Sequence, residues 1–160
     1  MRRACRSGNL RAVPRMQVNG AELHYEDTGG GGPAVVFSHG LLWSGKMYRF
    51  QVEALRGNYR CITFDFRGQG QSPADVRGSM RALRGVLDRQ GIADQLGSIR
   101  TPTLVVSGEE DVAVVPDRSR RTAERIPGAR FVLMPGAGHS SSLEQPEAVT
   151  AALREFFAGR

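Results

Sequence analysis

Residues 101–116 read TPTLVVSGEEDVAVVP, and the order of residue types in this stretch decides the fold. A short, continuously apolar run, Leu104 to Val106, lies between Pro102 and Gly108. It suits a strand buried on both faces, the habit of parallel sheets, rather than the alternating pattern of a half-solvated strand. Glu109, Glu110 and Asp111 then leave such a strand at its carboxyl end. Parallel α/β sheets bind ligands at that end, so every run of this kind marks a place where chemistry can sit.

The same grammar recurs on both sides. Downstream, DRSRRTAERI (117–126) reads as a polar-faced helix and RFVLMPG (130–136) as another buried strand. PEAVTAALREFF (146–157) reads as a helix with Pro146 in its first turn, where a missing N–H does no harm. Upstream, AVVFS (34–38) and YRCITFDF (59–66) read as buried strands. KMYRFQVEALRG (46–57) is an amphipathic helix closed by Gly57, and MRALRGVLDRQ (80–90) is a helix with Leu83, Val86 and Leu87 on one stripe. AELHYED (21–27) alternates, with Ala21, Leu23 and Tyr25 on one face and His24 on the polar face of an edge strand. Strands alternating with helices predict an α/β fold, a mainly parallel sheet flanked by helices.

With 160 residues, 40% hydrophobic and 24% charged, the chain is long enough for one domain with its own core. The net charge of +6 invites a nucleic-acid reading until it is located. Residues 1–15 hold five arginines and no acid, so all but one unit of that charge is terminal. We read 1–15 as a basic, disordered extension, with a transit peptide or phosphate-binding arm as alternatives, and 16–160 as the folded domain. A nucleic-acid partner is not expected of the near-neutral body. No apolar run approaches the roughly 18 residues that cross a bilayer, and no membrane partner is expected. Cys5 and Cys61 form neither a metal-ligand spacing nor a disulfide framework, so Cys61 reads as a buried thiol in a reducing, cytoplasmic setting. Neither a metal nor a cofactor is expected.

Candidate chemistry lies in the residues that leave each strand at its carboxyl end. His39-Gly40-Leu41 comes after 34–38, Arg67-Gly68-Gln69-Gly70 after 59–66, Asp111 after 101–108, and His139 after 130–134 in MPGAGHSSSLEQPEA (134–148). An aspartate and a histidine at the same sheet edge can act as a pair, the carboxylate orienting the imidazole and stabilising its protonated form. Taken singly, an aspartate there is a common helix cap and a loop histidine is commonly just solvated. His24 and His39 receive no acid–base role.

Taken in order, these segments resemble the α/β-hydrolases, close to the small esterases and enol-lactonases. VVFSHG (35–40) resembles the strand and His-Gly turn that supply an oxyanion-hole amide, here that of Leu41. FDFRGQGQS (64–72) matches the family's D-x-R-G-x-G-x-S segment. TPTLVVSGEEDVAVVP resembles the segment carrying the triad acid, and VLMPGAGHSSSLEQPEAV (132–149) the one carrying the triad histidine. The resemblance implies hydrolysis of a small ester or lactone, with His139 as base, Asp111 as its orienter and the Leu41 amide in the oxyanion hole.

The family's nucleophile elbow, G-x-S-x-G, has no counterpart. Gly70-Gln71-Ser72 and Gly138-His139-Ser140 each lack the second glycine. Ser72 precedes Pro73, which has no N–H to offer an oxyanion. Ser140 adjoins His139 and stands apart from its strand, and Ser79 has no strand leading into it. The nucleophile is therefore unknown. Family members run to roughly 250 residues, whereas this chain passes from the loop at 72–77 directly to the helix that comes after the family's cap. The expected architecture is thus a truncated α/β-hydrolase fold without its central elbow strand. Either strand 34–38 pairs directly with 101–108, or a second copy covers the open edges and the protein is a homo-oligomer. Two functions stay open: a weak hydrolase, or an inactive scaffold or interaction module.

Overall fold

The computed structural model describes residues 14–73 and 76–159. Most of the basic extension lies outside the described residues, but Arg15 opens the first strand and pairs with Glu22 at 2.7 Å. Strands β1 (Arg15–Val18) and β2 (Ala21–Asp27) form an antiparallel hairpin. Asn19 and Gly20 turn it with φ of 48° and 72°, the left-handed pair that matches the twist of the flanking strands. Strand β2 lies antiparallel to β4 (Arg60–Phe64), and β4 lies parallel to β3 (Ala34–Phe37), giving the order β1-β2-β4-β3. Strands β5 (Leu104–Gly108) and β6 (Arg130–Met134), connected through helix α3 (Pro116–Arg125), form a separate parallel pair with Val106 opposite Val132.

The direct pairing of residues 34–38 with 101–108 is not formed. Among the described residues, no strand joins β3 to β5. A cavity of about 570 Å³ lies there instead, lined by Val35 and Phe37 of one sheet, Val106 of the other, and Val149, Leu153 and Phe157 beneath. The last three belong to α5 (Pro146–Ala158), which ties the halves together. Leu153 packs both on the core group of Phe37, Leu55 and Cys61 and on that of Met134, Ala137 and Val149. Polar links across the halves run from α1 (Arg49–Leu55): Gln51 Nε2 donates to the Ser142 carbonyl at 3.0 Å, and Arg154 Nη2 donates to the Ala54 carbonyl at 2.6 Å. Burial pushes the Cys61 thiol up and keeps it protonated.

Three expectations are corrected. His24 is not on a polar face; it is 4% exposed, because the loop after β4 folds back over β2 and presents Asp65 and Ser72 to it. Strand β3 is not buried on both faces, for Ala34 and Val36 are exposed, Val36 at 59%, and no described strand lies on its open side. On α2 (Val76–Leu87) the stripe of Leu83, Val86 and Leu87 faces outward, these residues being 39%, 39% and 71% exposed. The helix instead sets buried Gly78 and half-buried Ala82 toward the body. Periodicity identifies residues that share a face, but a neighbour must exist to cover it.

Candidate active site

Strand β5 ends against the loop after β6. Glu109 N–H donates to the Met134 carbonyl at 3.0 Å and Glu110 N–H to the Ala137 carbonyl at 2.8 Å. The contact is so close that a Cβ on Gly108 would collide with the carbonyl oxygens of Gly138 and Ala137. Gly108→Ala is therefore expected to destabilise the protein by about 1–3 kcal/mol and to push the two loops apart, measurable as a lower urea midpoint.

That approach brings Asp111 and His139 together. Asp111 Oδ2 lies 3.0 Å from His139 Nδ1, while Asp111 Oδ1 accepts the N–H groups of Ala113 and Val114, each at 2.9 Å. Burial pushes the Asp111 carboxyl up, but the Val114 amide, the His139 ring and the Ala113 amide outweigh it and hold the group below the ordinary carboxylate range. An ionised Asp111 is an acceptor only, so the proton of a neutral His139 belongs on Nδ1 and Nε2 carries the lone pair. The Asp111 side chain is 8% exposed and that of His139 is 56% exposed, so the ring stands at the rim of the 570 Å³ cavity with its orienter buried behind it.

Sequence patterns carried no hint of Glu144, at the end of the short helix α4 (Ser141–Glu144). Its carboxylate accepts the N–H of Gly138 at 2.7 Å and of Ser140 at 2.8 Å, clamping the backbone on both sides of His139. Glu144→Ala is expected to release this loop, broadening the His139 ring resonances in NMR spectra and costing about 1–2 kcal/mol of stability.

The remaining strand ends serve the framework. His39 Nδ1 faces the Gly40 carbonyl at 2.7 Å and its Nε2 accepts the Phe66 N–H at 2.9 Å, so both ring nitrogens are committed. Asp65 lies 3.1 Å from His24 Nδ1 and accepts the N–H groups of Gly45 at 2.7 Å and Gln71 at 2.8 Å. Ser72 Oγ donates to the Asp65 carbonyl and accepts the His24 N–H, a structural use of the serine. The FDFRGQGQS pattern was the legible signal of this cluster, and at Gly70 (φ 56°) a Cβ would overlap the Asp65 carboxyl group.

Leu41 does not line the cavity that His139 lines. It opens on a separate cleft of about 400 Å³ with Phe66, Gln69 and Arg81. Among the described residues, no serine hydroxyl is hydrogen-bonded to the His139 ring, and no three His, Cys, Asp or Glu side chains cluster around a metal-sized space.

A two-part α/β sheet with a histidine–aspartate pair at the carboxyl ends of two parallel strands defines a class, and comparison with known proteins names it. Residues 50–159 match the family profile described as TAP-like protein, one of the α/β-hydrolases. The chain belongs to the α/β-hydrolase family. It is 45% identical over 69 residues to epoxide hydrolase A of Mycobacterium tuberculosis, a match covering 42% of this chain and 21% of that protein. It is 42% identical over 57 residues to 3-oxoadipate enol-lactonase 1 of Acinetobacter baylyi, covering 36% of this chain and 18% of the relative. The matched segments thus span about a fifth of those relatives. The structure superposes on a thermophilic esterase of Thermogutta terrifontis with a TM-score of 0.75 at 20% identity, covering 92% of this chain and 97% of that one, a likeness of fold.

Proposed function

We propose that the protein is a slow hydrolase of small esters or lactones in which His139, oriented by Asp111, acts on water. The observation that carries this reading is the 3.0 Å Asp111–His139 contact, which leaves Nε2 at the rim of an apolar cavity. The steps balance without a covalent intermediate. Nε2 takes a proton from water, the hydroxide adds to the carbonyl carbon, and the carbon–oxygen bond to the alcohol portion breaks. The imidazolium, stabilised by Asp111, then returns the proton to the departing alkoxide. Slow turnover follows from a route without an acyl intermediate, since no serine hydroxyl among the described residues is hydrogen-bonded to the His139 ring, and each lost element lowers the rate by orders of magnitude.

The second reading is an inactive hydrolase-fold scaffold, favoured by the observation that Leu41 and His139 line different clefts. Hydrolysis of a short-chain nitrophenyl ester by wild type and His139→Ala separates the two, beside a fluorophosphonate probe mapped by mass spectrometry. The proposal expects the substitution to abolish turnover above background, with no serine adduct. Equal rates for both proteins leave the scaffold, and a labelled serine replaces the water mechanism by a covalent one.

A further inference from the structure

Helix α2 presents its largest side chains to solvent. Met80, Leu83 and Leu87, spaced to share one helical face, are 54%, 39% and 71% exposed, and Ile92 beyond the helix is 58% exposed. The side turned to the body is small, with Gly78 buried and Ser79 Oγ donating to the Gly68 carbonyl at 3.5 Å. Arg77 and Arg84 flank the apolar face and Arg81 lies farther round. The helix contains no acid; Asp75 and Asp88 stand outside its ends. None of the three arginines pairs with a carboxylate among the described residues.

We propose that α2 is a docking helix for the surface of an anionic lipid bilayer, with Met80, Leu83 and Leu87 entering the acyl boundary and Arg77 and Arg84 meeting the headgroups. Charge selects this occupant. In a second copy seated on the same face by a twofold axis, the arginines of both helices would oppose one another. A nucleic acid would satisfy the arginines and leave the apolar stripe wet. An anionic membrane satisfies both, the arrangement of helices that lie in the interface. Arg2, Arg3, Arg6 and Arg11 add a second basic segment that an anionic surface attracts. No helix among the described residues is long and apolar enough to cross a membrane, and surface docking requires none.

The test is co-sedimentation of the full chain with vesicles of phosphatidylcholine alone or with about 30 mol % phosphatidylserine, at roughly 0.1 M salt. Binding to the anionic vesicles is expected to be at least about tenfold tighter. Leu83→Gln with Leu87→Gln, and separately Arg77→Glu with Arg84→Glu, should each weaken it at least about tenfold. All four positions are solvent-facing, so the melting temperature should stay unchanged in both pairs. Met80→Trp should add blue-shifted emission on anionic vesicles. Absence of binding overturns the proposal, as does equal binding to both vesicle types. So does binding that survives both helix pairs yet disappears when Arg2, Arg3 and Arg6 become glutamine, since the tail then acts alone. A dimer in sedimentation velocity that Leu83→Gln with Leu87→Gln dissociates assigns the face to a second copy instead. Equally tight, stripe-dependent binding to an acidic polypeptide without lipid assigns it to a protein partner.

Discussion

Asp65→Ala is expected to lower the unfolding free energy by about 3–5 kcal/mol, a large part of the roughly 5–15 kcal/mol available to a domain. The side chain is 4% exposed, and its removal strands the His24 ring and the amides of Gly45 and Gln71, three donors with nowhere else to turn. In urea the midpoint should fall by roughly 2 M with little change in slope. Asp65→Asn, which keeps the shape and one acceptor, should fall between that variant and the wild type. The acid limb has the same contacts as its cause. Burial pushes the Asp65 carboxyl up, but the amides of Gln71 and Gly45 together with His24 outweigh it and hold the group below its ordinary value. Its contribution is therefore complete above the unfolded value of about 3.9 and is lost as pH falls through the folded one. Asp65→Asn should remove this part of the acid sensitivity. An Asp65→Ala protein as stable as wild type would show that the loop after β4 is not held by this carboxylate.

Asp111→Asn is expected to bring ester hydrolysis down to the rate of His139→Ala while leaving the fold intact. Asparagine Oδ1 can still accept the amides of Ala113 and Val114, so the loop keeps its shape and stability changes by about 1 kcal/mol or less. The asparagine NH₂ then faces His139 Nδ1 and makes that nitrogen an acceptor, which moves the ring proton to Nε2. A protonated Nε2 cannot take a proton from water. Where a carboxylate orients a histidine base, this tautomer change lowers turnover by roughly 10³–10⁴-fold. Nitrogen-15 NMR of the imidazole reads the tautomer directly, so a rate loss with an unchanged tautomer would sink this explanation while leaving the loss real.

The legible parts of this molecule share a property: their signal is local. AVVF and LVV declare strands through continuous apolar runs, although AVVF overstates the burial of β3, where Ala34 and Val36 stay exposed. Asn19-Gly20 carries its turn in its own backbone preferences. Asp111 and His139 could be read because topology sends both to the same sheet edge. The illegible parts depend on partners brought from a distance. His24 alternates as an outward residue should, and only the fold-back of residues 65–72 buries it. Glu144 sits on a four-residue helix, and its purpose is invisible until its carboxylate meets the Gly138 and Ser140 amides. The helical spacing of Leu83, Val86 and Leu87 is plain in the sequence, yet spacing cannot say whether anything lies opposite. Leu41 could be assigned only by resemblance, and it lines a cleft together with Phe66, Gln69 and Arg81.

The bridging role of Leu153 also has a consequence in time. A ribosome delivers β3 about a hundred residues before α5, an interval on the order of ten seconds at cellular elongation rates. During it, β3 has no described strand of its own chain to take on its open side, and the helix that closes the floor beneath it has not been made. The nascent chain must carry that edge with no apolar floor beneath it until Leu153 leaves the exit tunnel, so its yield in the cell depends on how quickly the thirteen-residue helix α5 joins the first half of the fold.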